Sequence, residues 1–251
     1  MKSEEQKEFT LKQHLEELRS RLLVTAISAL IGTIITFAFH RQILVFLQKP
    51  ATGISGIDTS PLVYTHVTEM LGITMKVSFM GGLILALPVL TYQIIAFISP
   101  GLTKTEKRYL LLLLPGVSIA FIAGVTFGYI VLIPAAIKFF LTFNADIAAP
   151  MIRIGNYINL MTNLLFWNGL VFETPVLMFA LAKMKIISYR KFSRWRKFGI
   201  VIAFLLGALI TPTFDPINQT LVAIPIVILY ELGIWLAWLA NRKSETKTRP
   251  E

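Results

Sequence analysis

The carboxylates carry the first information, because 14 Asp and Glu stand among 24 Lys and Arg in a chain that is 55% hydrophobic. Glu17 lies in Thr10-Leu-Lys-Gln-His-Leu-Glu-Glu-Leu-Arg-Ser-Arg-Leu22, four residues before Arg21. On a helix that spacing makes the two neighbours, so one reading of Glu17 is a surface ion pair. Glu106 closes Thr103-Lys-Thr-Glu106, the S/T-x-x-E pattern that opens a helix, and its charge suits the helix dipole there. The other reading of both is recognition. A carboxylate accepts two parallel hydrogen bonds from a guanidinium, and among many cations it is where a cationic ligand is not repelled.

Glu173 has no such local explanation. It stands ten residues before Lys183, about 15 Å along a helix, inside an apolar stretch. An ionised group near mid-membrane costs about 2.5–3.5 kcal/mol, and no basic residue shares its depth. It is read as functional: neutral, or bonded to Gln93, Asn163 or Asn168, or facing water or a partner. Glu231, eleven residues before Arg242, is shallower and open to either reading. Asp215 precedes Pro216 in Thr211-Pro-Thr-Phe-Asp-Pro-Ile-Asn-Gln219, which favours a turn or helix start. The chain has no Cys and three separated His (His14, His40, His66), which removes thiolate chemistry and Cys or His-rich metal sites. It also lacks a phosphate-binding Gly loop and a nucleophile elbow. The residues predict neither an enzyme nor a cofactor.

The elements that position these groups are membrane spans. Charged residues make up 15% of the chain, against about 25% in soluble domains, and the mean hydropathy is +0.68. A soluble core stops growing near this chain length and could not hide so much apolar surface. Crossing about 30 Å of hydrocarbon takes about 20 apolar residues. Leu22–Phe39, Val77–Thr103 and Tyr109–Ile137 are uncharged; Glu173 alone interrupts the stretch from Arg153 to Lys183; Pro212 and Pro216 divide the last run. The expected fold is an all-α integral membrane protein of six helices, about 22–39, 70–98, 108–137, 156–182, 198–211 and 217–239. Residues 1–21 form an N-terminal arm, 22–240 the membrane domain and 241–251 a tail. Phe198–Ile210, at about 20 Å, is short for a crossing, so the fifth and sixth segments are expected as two short spans. Prolines at 88, 175 and 225 predict kinks.

Basic residues give direction. Nineteen fall in the arm, the 2–3 loop, the 4–5 loop and the tail, against five on the other side (Arg41, Lys49, Lys76, Lys138, Arg153). Both termini are therefore expected in the cytoplasm, and the net charge of +10 reports topology rather than nucleic acid. Trp195 and Phe192 among the 4–5 loop cations suit anionic lipid headgroups. Leu11, Leu15, Leu18 and Leu22 form one stripe, so the arm is expected as an amphipathic helix at the cytoplasmic interface, running into the first span. Five Glu in the first 21 residues do not fit a secretory or transit peptide, so segment 1 reads as an uncleaved span.

Over residues 10–243 the chain resembles the TatC family, the multi-spanning component of the twin-arginine protein translocase. The motifs are His14-Leu-Glu-Glu-Leu-Arg-Ser-Arg-Leu22; Pro88-Val-Leu-Thr-Tyr-Gln93 with Ala96-Phe97-Ile-Ser-Pro100; Glu106-Lys-Arg108; Phe172-Glu-Thr-Pro-Val176; and Thr211-Pro through Gln219-Thr-Leu-Val-Ala-Ile-Pro225. The resemblance implies a concave, glove-like bundle with short fifth and sixth helices. It implies that Glu17 and Glu106, with Leu18, Arg19 and Phe97, bind the paired arginines of signal peptides of folded precursors. Glu173, Gln93, Asp215, Gln219 and Glu231 become intramembrane polar or partner-contact positions, and Pro50 and Lys76 lie on the far-side face. The implied partners are TatA- and TatB-type single-span proteins, membrane lipids and further copies within a receptor complex, with transport driven by the protonmotive force. The implied location is a bacterial plasma membrane rather than a thylakoid. Thr105 stands before Glu106 where many relatives have His. A proton-coupled small-solute transporter built on Glu173 is the alternative, and the lack of a 3+3 inverted repeat weighs against it.

Overall fold

The computed structural model describes residues 11–52, 62–98, 104–142, 151–211 and 216–245. Thr10, Thr103 and Asp215 lie outside these residues, and of Glu106 only the backbone is described.

The arm and the first span are one unbroken helix, α1 (Leu11–Ala38). No Gly or Pro falls between Leu11 and Leu22, so no structural break separates the amphipathic stripe from the apolar run. A second helix, α2 (His40–Thr52), follows at once. The sequence reading had no helix there, because the segment is short and carries Arg41 and Lys49. It forms by burying one face, Leu44 and Leu47, in the core, and Pro50 sits half-buried near its end.

Helix α3 runs Glu69–Ile98. The next span is composite: α4 (Lys104–Phe127), one wide π turn over Gly128–Leu132, and α5 (Ile133–Thr142). The turn points Tyr129 at α2, where its hydroxyl donates to the Phe46 carbonyl at 2.8 Å and its ring stacks on Phe46 at 4.4 Å. The fourth stretch divides into α6 (Ile154–Phe172) and α7 (Thr174–Lys183), with Glu173 at the joint. Pro175 explains the break, since it has no N–H to give the Val171 carbonyl. Pro88 and Pro225, by contrast, lie inside helices that continue through them.

After the short α8 (Tyr189–Arg194) come α9 (Arg196–Ile210) and α10 (Pro216–Glu245). The fifth segment is short, 15 residues or about 22 Å. The sixth is not, which corrects that expectation: α10 has 30 residues and carries on past Asn241. Arg242 and Lys243 do not stop it, because charged residues with good helix propensity extend a helix beyond the apolar zone.

Five stretches are long and apolar enough to cross a membrane: Leu15–Ala38, Glu69–Phe97, Leu113–Thr142, Ile154–Lys183 and Pro216–Asn241. With α9 as a shorter sixth, the chain is an all-α, multi-pass membrane protein. Among the described residues there is no strand, only an isolated bridge between Val63 and Arg153. Large apolar side chains such as Ile27, Leu30, Ile34, Leu205 and Leu209 are exposed along the helices, as lipid contact requires. Ile133, Ile158, Met161 and Leu164 fill the centre at no more than 2% exposure.

Small residues set how closely the helices approach. A Cβ on Gly32 of α1 would lie 2.6 Å from the Gly82 carbonyl oxygen of α3, so the two backbones touch there. At the end of α3 near residue 69, a clamp ties the segment before that helix to the start of α6. Arg153 Nε and Nη2 each lie 3.1 Å from Glu69 Oε1 and Oε2, and the Gly155 and Thr65 N–H groups donate to the same carboxylate at 3.0 Å.

Candidate functional site

Glu17 and Arg21 project from one face of α1 toward α3. Arg21 donates to Glu17 Oε1 through Nη2 at 2.5 Å and Nε at 3.0 Å, and its Nη1 lies 3.1 Å from Gln93 Oε1 on α3. One guanidinium thus bridges a carboxylate and an amide across two helices. The i,i+4 ion pair read from the sequence exists, and it is part of something larger.

The bridge stands at a cavity of about 280 Å³ between α1 and α3. Leu18, Leu22, Leu90, Ile94 and Phe97 give it apolar walls, with Arg21, Thr25 and Gln93 as its polar residues. The structure therefore brings Leu18, Gln93 and Phe97 together at one site, with Glu17 beside them. Arg19 is exposed on the same helix turn. Glu106 lies in the first turn of α4, at the same end of the bundle as the start of α1, since α3 ends at Ile98 and α4 begins at Lys104. Chemically this end offers the Glu17 carboxylate and the Gln93 amide beside an apolar groove.

Of the alternatives the sequence leaves open for Glu173, the amide hydrogen bond is not made. None of the three amides considered as its partners reaches it: Gln93 accepts from Arg21, Asn163 from Lys76, and Asn168 donates to the Gly124 carbonyl at 2.7 Å. Its Oε1 is buried without a hydrogen-bond partner among the described residues. It lines a second cavity, of about 420 Å³, whose walls include Leu87, Leu90, Ile94, Phe166 and Leu170. Leu90 and Ile94 belong to both cavities, so a continuous apolar strip of α3 joins the Glu17 site to Glu173.

The remaining positions are dispersed. Glu231 pairs with Arg196 across α9 and α10 at 3.0 Å, both side chains well exposed. The Gln219 amide donates to the Phe204 carbonyl at 2.8 Å, linking the same two helices farther along. Pro50 and Lys76 lie toward the opposite end of the bundle from Glu17, on α2 and α3.

Comparison with known proteins then decides the family. The family model described as Sec-independent protein translocase protein (TatC) matches residues 13–225. The chain belongs to the TatC family. The TatC protein of Carboxydothermus hydrogenoformans is 39% identical over 93% of this chain and 94% of its own length. That of Aquifex aeolicus is 38% identical over 94% and 97%, and the chloroplastic protein of Arabidopsis thaliana 36% over 94% and 68%. A crystal structure titled as the twin-arginine translocase receptor TatC is 37% identical, covers 91% of this chain and 99% of its own, and superposes with a TM-score of 0.80. The protein is accordingly a component of the twin-arginine, Sec-independent protein translocase.

Within this TatC-family fold, sequence reasoning missed two groups. Glu69 meets Arg153 across 84 residues of separation, and no local pattern announces that pair. Asn156 and Asn159 form a face of α6 with Asn163. The signal available was their i, i+3, i+7 spacing, an amide stripe in an otherwise apolar run.

Proposed function

We propose that the protein is the receptor and channel-organising subunit of the translocase, binding twin-arginine signal peptides of folded precursors on the cytoplasmic side. The observation that carries the reading is the Arg21–Glu17–Gln93 bridge beside an apolar cavity. A guanidinium already fits Glu17 here, so the surroundings suit that group, and the Leu18, Leu22, Leu90, Ile94 and Phe97 walls suit the apolar segment that follows paired arginines. Glu106, at the same end of the bundle, supplies the second carboxylate, so that each arginine of the pair has its own acceptor. Arg19 orients the entering chain by repelling it from the exposed flank of α1.

The inserted part of the signal then follows the α3 strip toward Glu173. That buried carboxylate, with Gln219, Asp215 and Glu231 on the α9–α10 side, receives the polar groups of TatA- and TatB-type single-span partners. Pro50 and Lys76 belong to the far-side face. Several copies assemble in the receptor complex, in a bacterial plasma membrane, and the protonmotive force drives export.

Site-specific cross-linking tests this directly. Single-cysteine probes beside Glu17 and Glu106, in a chain with no native Cys, should label a twin-arginine precursor and not its Lys-Lys variant. Equal labelling of both precursors refutes arginine recognition at this site.

A further inference from the structure

Lys76 is the sole charge in α3 after Glu69, and it has no ion pair among the described residues. It lies seven residues from Glu69, about 10 Å along the helix. Its ammonium donates instead to the side-chain oxygens of Asn159 and, at 3.4 Å, Asn163 on α6. An ammonium has only donors, so both amides must turn their oxygens to it and their NH₂ groups elsewhere. Asn156, three residues before Asn159, extends the same face. Among the described residues the NH₂ groups of these three amides have no acceptor.

All three amides line a cavity of about 410 Å³ whose apolar walls include Ile137, Phe140, Leu160 and Leu209. The volume is in the range of small-ligand sites. A cation without a counter-charge and a set of unused N–H donors together recognise an anion, and the cluster holds no carboxylate to draw a second cation. The position says where that anion comes from. Leu209 and Ile210 end α9, which at about 22 Å is shorter than the roughly 30 Å hydrocarbon layer. A short span beside this cavity lets the leaflet dip toward the depth of Lys76.

We infer that the cavity binds one anionic phospholipid from the leaflet opposite the Glu17 site. Its phosphate sits on the NH₂ groups of Asn156, Asn159 and Asn163, with Lys76, held on the oxygens of the last two just behind the cavity wall, supplying the charge; an acyl chain lies against Ile137, Phe140, Leu160 and Leu209. A zwitterionic headgroup fits less well, because its own cation finds no carboxylate there. This site is independent of signal-peptide recognition.

The test is native mass spectrometry of the full-length protein in mild detergent, titrated with dioleoylphosphatidylglycerol. One phosphatidylglycerol adduct should form about tenfold more tightly than a phosphatidylcholine adduct, and weaken about tenfold or more in Lys76→Gln and Asn163→Leu while persisting in Lys76→Arg. Leu209→Trp, which fills the cavity from a lipid-exposed position, should also remove it and covers the case in which Lys76→Gln does not fold. Dioleoylglycerol, lacking phosphate, should not compete. An adduct unchanged in both Lys76→Gln and Leu209→Trp overturns the inference. So does displacement of the lipid by inorganic phosphate at equal concentration, which would make the site one for a free anion.

Discussion

Arg21 holds Glu17 at 2.5 Å, so the carboxylate proposed to receive a ligand's arginine already carries a guanidinium from its own helix. Both side chains are about three-quarters covered, and the same guanidinium reaches Gln93. An incoming arginine must displace or share this contact. Arg21→Gln should therefore raise the affinity for a labelled twin-arginine peptide several-fold by removing the internal competitor, while Glu17→Gln should lower it about tenfold or more. Fluorescence anisotropy with the purified protein distinguishes the cases. If Arg21→Gln weakens binding as much as Glu17→Gln does, the two residues act as one acceptor unit, and the competition argument fails.

Glu69 makes a prediction about the clamp at the head of α3. Its carboxylate accepts from the Arg153 guanidinium and from the Gly155 and Thr65 N–H groups. Removing one partner of such a set leaves the others unpaired. Glu69→Leu should therefore lower the melting temperature in detergent by several degrees, and Arg153→Leu should do the same. Because the two residues share one contact, the double variant should lose less than the sum of the single losses. Strictly additive losses would contradict the clamp.

Glu173 should separate stability from function. Its Oε1 is buried without a partner among the described residues, and an unsatisfied buried polar group costs roughly 1–3 kcal/mol. Glu173→Leu removes that cost, so the isolated protein should melt about 2–4 °C higher or more. Export of a twin-arginine precursor by vesicles containing the whole translocase should nonetheless drop, because the carboxyl is retained for a partner that the isolated chain lacks. A variant that is both more stable and fully active would leave Glu173 without the role proposed for it.

What the sequence made legible followed from local chemistry. Uncharged runs mark the spans because a charge is costly in hydrocarbon. The Glu173 joint was marked by Pro175, and Glu17 with Arg21 by their four-residue spacing. Helix α2 escaped notice since a 13-residue helix with Arg41 and Lys49 declares itself only through the core that buries Leu44 and Leu47. The partners of Lys76, Gln93 and Glu69 were hidden for a related reason: each lies 72 to 87 residues away in the chain, and that register is set by packing. Helix α10 exceeds its expected length because its apolar run ends near Asn241 while the helix continues to Glu245.

That packing rests on glycine at the α1–α3 crossing, and it yields the sharpest stability test. A Cβ on Gly32 would sit 2.6 Å from the Gly82 carbonyl oxygen, against backbone rather than a movable side chain. Gly32→Leu must therefore push α1 away from α3, opening both the Glu17–Gln93 bridge through Arg21 and the cavity beneath it. Overpacking of this kind costs about 1–3 kcal/mol. Gly72 on the same α3 has nothing within 4 Å of its Cβ direction, so Gly72→Leu is the matched control. Gly32→Leu should lower the melting temperature by several degrees and lose signal-peptide binding, whereas Gly72→Leu should keep both. Signal binding that survives in Gly32→Leu would mean that the recognition surface does not depend on how α1 meets α3.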